Sequence, residues 1–435
     1  GGLRELMAGQ LAVWHAQQLA PENPVYNVGE YVEIDGEVDL DLLVAAVRRV
    51  MEEADAARLR FREVDGVPRQ YFAEDEDYPV EVIDVSAEAD PRAAAESLMA
   101  ADLRRPRDLR DGELYTQKIY KVGEDLVFWY QRAHHIILDG RSAGLVASRV
   151  AAVYSALAAG GDVEEGALPS SSVLMDAEDE YRASEEFELD REYWREALAG
   201  LPEEVSLGAN EPSRLPREPV RHEEDVSDAA AAELRAAARR LGTSLAGLAI
   251  AAAALYQHRL TGQRDVVVGV PVAGRSKTAE LDIPGMTANV VPVRLAVAPK
   301  TTVAELVRQV ARGVRDGLRH QRYRYEDILD DLKLVGRDGL YPLLVNVLSF
   351  DYDLRFGDAV SVAHGLSAGP VDDVSIDVYD RSSDGSMKVV VDVNPDLTDR
   401  SDADEVARKF LALLRWLAES DAEEPVARID LLDED

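Results

Sequence analysis

Asp125-Leu126-Val127-Phe128-Trp129-Tyr130-Gln131-Arg132, running on into Ala133-His134-His135-Ile136-Ile137-Leu138-Asp139-Gly140, is the stretch from which the rest of the chain can be read. Its first half is rich in aromatic and branched residues and has the length of a mostly buried strand. Beyond it, Val146, Val150, Val153, Tyr154 and Leu157 recur at helical spacing until Gly160-Gly161 supplies a stop, so Arg141 to Ala158 reads as an amphipathic helix. His134 and His135 therefore fall at a strand end, in a turn that also carries Asp139 and Gly140.

Neighbouring residues on an extended segment face opposite sides, so the two imidazoles do not share one ligand or one substrate atom. One faces a cavity and the other the interior. An accessible imidazole titrates near neutrality and can take a proton from an amine or hydroxyl nucleophile. Asp139 can hold the loop by pairing with a distant arginine. A plainer reading stands beside this one, in which the histidines and the aspartate only cap the strand end through local hydrogen bonds.

Outward from this turn, Leu114 to Lys121 and Leu126 to Arg132 are spaced as a hairpin around Gly123. Upstream lie a helix over Gln10–Leu19, an extended segment from Tyr31 to Ile34, a helix over Asp39–Met51 with Asp39 as N-cap, and strands at 58–61 and 80–83. From Gly160 to about Asp190 the chain turns acidic and Ser-rich, before a helix at Tyr193–Leu201 and a Pro-rich surface loop at 211–221. Helices at 228–241, 244–260, 303–319 and 403–419 alternate with strands at 265–270, 290–297, 345–350 and 388–393. The expectation is an α/β protein of two sandwich-like lobes, residues 1–165 and 166–435. A chain of 435 residues exceeds the size at which one core stops growing.

Composition narrows the partners. With 83 acidic against 48 basic residues the formal charge is −35, so phosphate backbones and anionic lipid are repelled. Cysteine is absent, which removes disulfides, thiolate nucleophiles and thiolate metal ligands and suits a reducing cytoplasm. The longest apolar stretch, Leu245 to Tyr256, falls short of the ~20 residues of a membrane span and reads as a buried helix capped by Thr243 or Ser244. No phosphate-binding glycine loop or H-E-x-x-H pair occurs, and Ser142 reads as the start of its helix.

Arg275 ends the strand-and-loop run Gly269-Val270-Pro271-Val272-Ala273-Gly274-Arg275, and is a candidate partner for Asp139 from a rigid edge; a solvated surface arginine is the alternative. Asn289 precedes a strand and either reaches the same cavity or serves turn chemistry. His320 complements a helix C-terminus, while His15, His222, His258 and His364 read as ordinary surface or core histidines.

Taken in order, these segments resemble the condensation domain of nonribosomal peptide synthetases over nearly the whole chain. Gln10-Leu11-Ala12-Val13-Trp14 is similar to the family's opening A-Q-x-x-[LMI]-W element. Ala54-Asp55-Ala56-Ala57-Arg58-Leu59-Arg60-Phe61 is similar to its H-E-x-L-R-x-x-F element, keeping Arg58 and Phe61 while departing at Ala54, Asp55 and Ala57. His134 to Gly140 matches H-H-x-x-x-D-G in full. Gly269–Arg275 with Thr287-Ala288-Asn289-Val290-Val291-Pro292, then Arg319-His320-Gln321-Arg322-Tyr323, then Arg337-Asp338 with Pro342-Leu343, follow in the family's order. The run 320–323, the strand reaching Phe350-Asp351-Tyr352 and Gly369-Pro370-Val371-Asp372-Asp373 look most like enterobactin-type siderophore synthetases.

The resemblance implies two lobes similar to chloramphenicol acetyltransferase, arranged as a V-shaped pseudo-dimer with a tunnel between them, a floor loop at about 270–287 and a latch within 353–387. It implies amide formation between a donor acyl or aminoacyl thioester and the α-amine of an acceptor, both tethered to 4′-phosphopantetheine on carrier domains, with no cofactor or metal bound by the domain itself. His135 is then the catalytic imidazole and His134 its support. Asp139 pairs with Arg275, Gly140 offers its N–H to the reacting thioester, and Arg58 supports the site. Trp14, Asn289 and Ser349 are expected along the tunnel. Flanking carrier and adenylation domains, a bacterial cytoplasmic setting, and antibiotic or siderophore biosynthesis go with it. His134 excludes the cyclisation branch, where Asp replaces the first histidine, and Ser142-Ala143 does not match the Ser-Trp of epimerisation domains. An ester-forming domain, a free-standing acyltransferase and a noncatalytic carrier-docking platform remain as alternatives of the same fold. The ending near Ile429-Asp430-Leu431-Leu432 is similar to the linker towards an adenylation domain and favours excision from a larger synthetase.

Overall fold

The computed structural model describes residues 2–429 apart from 75–77, 167, 203–206, 208–217, 335–338, 349–353, 382–384 and 397–399. Ser349, Arg337-Asp338 and Phe350-Asp351-Tyr352 lie outside the described residues. In chain order the elements begin with β1 (Arg4–Glu5), α1 (Ala8–Leu19), β2 (Asn27–Asp35), α2 (Leu40–Glu53), β3 (Leu59–Val64), β4 (Val67–Phe72), β5 (Val80–Asp84) and α3 (Pro91–Leu103). There follow β6 (Tyr115–Lys121), β7 (Leu126–His134), α4 (Gly140–Ala158), α5 (Ser172–Arg182), α6 (Glu185–Ala197), β8 (Val220–Val226), α7 (Asp228–Arg240) and α8 (Leu245–Thr261). The chain continues through β9 (Asp265–Val272), β10 (Asn289–Ala296), α9 (Val303–Arg319), α10 (Tyr325–Asp331), β11 (Leu343–Leu348), β12 (Val360–Ser367), β13 (Val374–Asp380), β14 (Met387–Val393) and α11 (Arg400–Glu419).

These elements fall into two compact units, both α/β with mixed sheets. The first comprises residues 1–184, 275–288 and 352–369. Its sheet has the order β12-β2-β7-β6-β5, all pairs antiparallel except β5 with β6, and a small β1-β4-β3 sheet accompanies it. Central β7 is covered on both faces, as the apolar run Leu126–Tyr130 requires. Trp129 shares a core with Val32 and Ile34 of β2, Val47 and Val50 of α2 and Val146 of α4, whereas Phe128 and Tyr130 share one with Tyr31 of β2 and Met99 of α3. Asp39 caps α2 by accepting from the Leu42 N–H at 3.1 Å.

The first unit runs past residue 165, and Asp55 shows how. Where the family-like element has Glu, Asp55 Oδ1 accepts from the Ser171 N–H at 2.9 Å and from Ser171 Oγ at 2.7 Å, tying the start of α5 to the turn after α2. Segments 275–288 and 352–369 also belong here by packing, although the strands that flank them in sequence do not.

The second unit comprises 185–274, 289–351 and 370–435, with sheet order β10-β9-β11-β13-β14-β8. β11 runs parallel to both β9 and β13, and the other pairs are antiparallel. Apolar α8 is buried in this core from Gly247 to Gln257, capped by Ser244, whose side chain accepts from the Gly247 N–H, and ended by Gly262 at φ 72°. α9 opens with a Thr302/Glu305 capping box and buries Val303, Leu306, Val307 and Val310. The helix expected from Tyr193 starts instead at Glu185, because Glu185, Glu186 and Glu188 suit the positive end of a helix dipole and belong to its first turn rather than to a linker. Strands β8 and β12 had no alternating apolar signal, being polar edge strands at the ends of their sheets. Among the described residues no helix is long and apolar enough to cross a membrane.

Candidate active site

The pairing of β2 with β7 ends at Asn27 opposite His134, and the next residue, His135, donates its N–H to Tyr26 O at 2.8 Å. Strand alternation then sends the two rings to opposite faces, and their surroundings differ accordingly. His134 is fully buried. Its Nδ1 accepts from the Ile136 N–H at 3.2 Å, so the proton sits on Nε2, which donates to Gln17 Oε1 at 2.9 Å. Burial pushes this imidazole down to about 3, with the His135 and Arg132 charges adding to the effect. His134 is thus a neutral ring locked in one tautomer and one orientation, with Tyr26 stacked 6.0 Å away. His135 is only half-buried. Gly369 crowds its ring: a Cβ at that position would lie 3.2 Å from His135 Cδ2, and φ of +100° independently requires glycine there.

The strand that delivers these rings is anchored by buried charge on the His134 side. Asp102 accepts from Arg132 Nε at 2.7 Å and from Tyr130 Oη at 2.9 Å, with Arg107 and Lys118 close by. Desolvation would raise the Asp102 carboxyl, but the Arg132 guanidinium, the Tyr130 hydroxyl and Lys118 outweigh it and hold it below the usual carboxylate range.

Asp139 organises the other end of the loop. As N-cap of α4 its Oδ1 accepts from the Ser142 N–H at 3.0 Å. Its Oδ2 accepts from Arg275 Nη2 at 3.2 Å, from the Thr287 N–H at 3.1 Å and from the Ala288 N–H at 3.2 Å. The Asp139 and Arg275 side chains are 2% and 0% exposed, so this is a buried ion pair whose charges need every one of these bonds. Burial pulls the Arg275 guanidinium down, and the Asp139 charge opposes that pull. Ser142 Oγ accepts from Arg275 Nη2 at 3.1 Å and from the Gly285 N–H at 2.9 Å, which binds the start of α4 to the 275–288 segment. Arg275 Nε donates to Thr287 Oγ1 at 2.8 Å and closes the ring of contacts.

Gly140 is the first residue of α4 and is exposed, with open space where a Cβ would stand. Trp14 packs in the first core against Phe61, ring centroids 6.3 Å apart, beneath the Arg110 guanidinium. Arg58 closes the turn of residues 55–58 and accepts the Ala73 N–H on its carbonyl at 2.8 Å. Asn289 spends its amide on backbone: Nδ2 donates to Gln321 O and Tyr323 O at 2.9 and 2.8 Å, and Oδ1 accepts from the Tyr325 N–H at 3.0 Å. It therefore clips the turn after α9 in the second unit. His320 pairs with Asp190 at 2.6 Å and His364 with Glu33 at 2.8 Å, while His258 donates to Gln263 O.

The sequence assigned no site role to Gln17, Ser142, Gly285, Thr287 or Gly369, although Ser142 reads as a helix start and Thr287 and Gly369 lie within the family-like runs. Only Ser142 had a local signal, three residues after an N-cap aspartate; the others meet the loop through tertiary contacts alone.

A partly buried His135 at a strand end thus stands beside a neutral, buried His134 and a charge-clamped turn in the first unit. Residues 4–435 match the Condensation domain family, and the chain belongs to it. It is 39% identical over 411 residues to the dimodular nonribosomal peptide synthase of Bacillus subtilis (strain 168), covering 94% of this chain and 17% of that protein. It is 30% identical over 395 residues to enterobactin synthase component F of Escherichia coli (strain K12), covering 88% of this chain and 30% of that one. The chain thus spans less than a third of these curated relatives, which are multidomain synthetases. Among solved structures, a mutant starter condensation domain of rhizomide synthetase in complex with C8-CoA superposes with a TM-score of 0.92 at 36% identity, covering 99% of this chain and 98% of that one.

Proposed function

We propose that the chain joins a donor acyl or aminoacyl thioester to the α-amine of an acceptor aminoacyl thioester, both carried on 4′-phosphopantetheine arms of flanking carrier domains. The observation that carries this reading is the contrast between the paired histidines: His134 is committed to structure, and His135 keeps accessible surface. The amine nitrogen attacks the donor carbonyl carbon, the tetrahedral oxyanion collapses, the C–S bond breaks and the pantetheine thiol leaves. An amine is nucleophilic only when neutral, so His135 accepts or holds its proton at a contact of ~2.6–3.2 Å and returns it to the departing sulfur. Gly140, at the N-terminus of α4, offers its N–H and the positive end of the helix dipole to the oxyanion. Asp139, Arg275 and Ser142 keep that helix start and the loop in register.

Base catalysis of this kind contributes ~10²–10⁴-fold. Holding two tethered reactants together offsets ~7–11 kcal/mol, so positioning carries more of the rate and His135→Ala retains residual turnover. In this reading the tether is substrate and the domain binds no cofactor of its own. Carrier and adenylation domains of a bacterial cytoplasmic synthetase are its neighbours, in antibiotic or siderophore production. The test loads matched donor and acceptor groups on carrier domains and follows the joined product by intact-protein mass spectrometry, with amine and alcohol acceptors run in parallel. Product with the amine, formed far more slowly in His135→Ala while the melting curve stays native, is the expected result; equal turnover in His135→Ala removes the catalytic assignment.

A further inference from the structure

The sheet face that carries His135 holds a second ionisable group which the reaction does not use. Glu30 in β2 lies directly opposite Gln131 in β7, and Val28 lies opposite Ala133. Alternation puts Glu30, Val28, Gln131 and Ala133 on one face, and the neighbourhood of Gly369 shows that His135 shares it. A Cβ on Gly369 would meet His135 Cδ2 at 3.2 Å and Val28 Cγ1 at 3.9 Å. Gln131 and His135 are four residues apart in sequence, about 13 Å along an extended strand.

Glu30 is held in a defined pose. Gln131 Nε2 donates to its Oε1 at 2.6 Å and to Ala143 O, in the first turn of α4, at 3.3 Å. Gln131 Oε1 accepts from Tyr115 Oη at 2.5 Å, which fixes the direction of the amide and commits both Nε2 protons to Glu30 and Ala143. Among the described residues the other carboxyl oxygen of Glu30 makes no hydrogen bond. The β12 residue in register with Glu30 is Gly365, so no side chain fills the place beside it on that edge. Desolvation pushes the Glu30 carboxyl up to about 7, against the Gln131 bond that lowers it, and yet the residue keeps accessible surface. The carboxyl is thus packed into this face of the sheet while part of it stays accessible. A surface carboxylate would be hydrated, and a core carboxylate would have both oxygens satisfied.

Resting on the reaction proposed above, we infer that Glu30 is a specificity-determining residue whose open oxygen receives a hydrogen-bond-donating group, above all an ammonium, at the far end of the acyl or aminoacyl substituent whose thioester reacts at His135. The span from His135 to Glu30 suits a long side chain or a medium acyl chain. An alkyl terminus would bury the carboxyl without a partner; a donor terminus supplies the missing bond. The chemistry is the same whether the substituent arrives on the donor or the acceptor arm, and substrate pairs on each arm separate the two.

The donor arm compares n-alkanoyl with ω-ammonioalkanoyl N-acetylcysteamine thioesters of equal length, and the acceptor arm compares norleucyl with ornithyl thioesters. Each pair is tested for kcat/KM and, by calorimetry, for Kd, using the whole chain and its Glu30→Gln and Glu30→Leu variants with melting curves recorded alongside. In one arm the unmodified protein prefers the ammonium member by about tenfold or more, the worth of a charged hydrogen bond. That preference shrinks in Glu30→Gln and reverses in Glu30→Leu. Preference ratios unchanged by Glu30→Leu in both arms overturn the inference. Absence of joined product with every pair counts against the proposed reaction alone, because the Kd ratios still decide the role of Glu30.

Discussion

Each unit contains an antiparallel hairpin whose second strand leads into a long helix: β6–β7 into α4 in the first, β13–β14 into α11 in the second. The wiring is alike and the turns are not. After β14 the chain reads Asn394-Pro395-Asp396, and Asn394 turns its polar groups on nearby backbone. Its N–H donates to Asp373 O and its Nδ2 to Asp372 O, both at 2.9 Å, while its Oδ1 accepts from the Asp396 N–H at 3.0 Å. After β7, the same place holds His134, His135 and Asp139. One imidazole is spent on structure, the aspartate is clamped from outside its own helix, and the second imidazole retains accessible surface. The same wiring thus holds two different sets of residues, and under the proposed function those that fill the passage after β7 place the reaction in the first unit.

Breaking the contrast at its centre gives the largest effect. His135→Ala is expected to lower condensation by ~10²–10⁴-fold with the melting temperature nearly unchanged, measured as joined product per minute beside a thermal melt. Next comes the clamp. Arg275→Met leaves the Asp139 carboxylate buried with backbone donors but no counter-charge, and should cost about 3–5 kcal/mol in denaturant unfolding. The rate should fall with it, because the start of α4 loses its tie to the 275–288 segment. Asn394→Ala is the matching lesion in the second unit. It leaves backbone groups unsatisfied at a cost of about 1–3 kcal/mol, with turnover per folded molecule preserved. Loss of turnover there at full stability would show that the two passages are not divided in role as described.

The smallest effect is in pH dependence, and it separates His134 from Glu30 by sign. His134 is held at about 3 in the fold against 6.5 for an unperturbed ring. Between those values the unfolded chain carries the extra proton, so stability declines as pH falls below about 6.5. Glu30 is raised to about 7 from 4.5, so the folded chain carries the extra proton in that interval and stability declines as pH rises through it. Glu30→Gln should therefore melt a few degrees above the unmodified protein near pH 8, with the gain shrinking towards pH 5, in melts across that range. An equal gain at both ends would mean that the carboxyl does not titrate as its enclosure requires.

Much of the scaffold could be read from pattern. The central hairpin, the Asp39 and Ser244 caps and the apolar helix α8 are written in nearest-neighbour chemistry, where period, cap and stop lie within a few residues of one another. Edge strand β8 is not legible in that way because Arg221-His222-Glu223-Glu224-Asp225 offers no apolar position, and edge strand β12 because it mixes Ser, His and Gly with small apolar residues. The acidic opening of α6 escaped it because charge runs were taken as linker before the helix dipole was considered.

At the site, the sequence by itself determined that two imidazoles and an aspartate share one turn between a strand and a helix, since strand, turn and helix are all local. Only the tertiary structure decided which imidazole is committed to the interior, that Arg275 meets Asp139 in a buried pair across 136 residues of chain, that Gly369 crowds the second ring, and that Glu30 shares its face. The physical reason is range. Backbone preference acts over a few residues, whereas burial, tautomer and the pairing of charges depend on groups that come together only when distant segments pack.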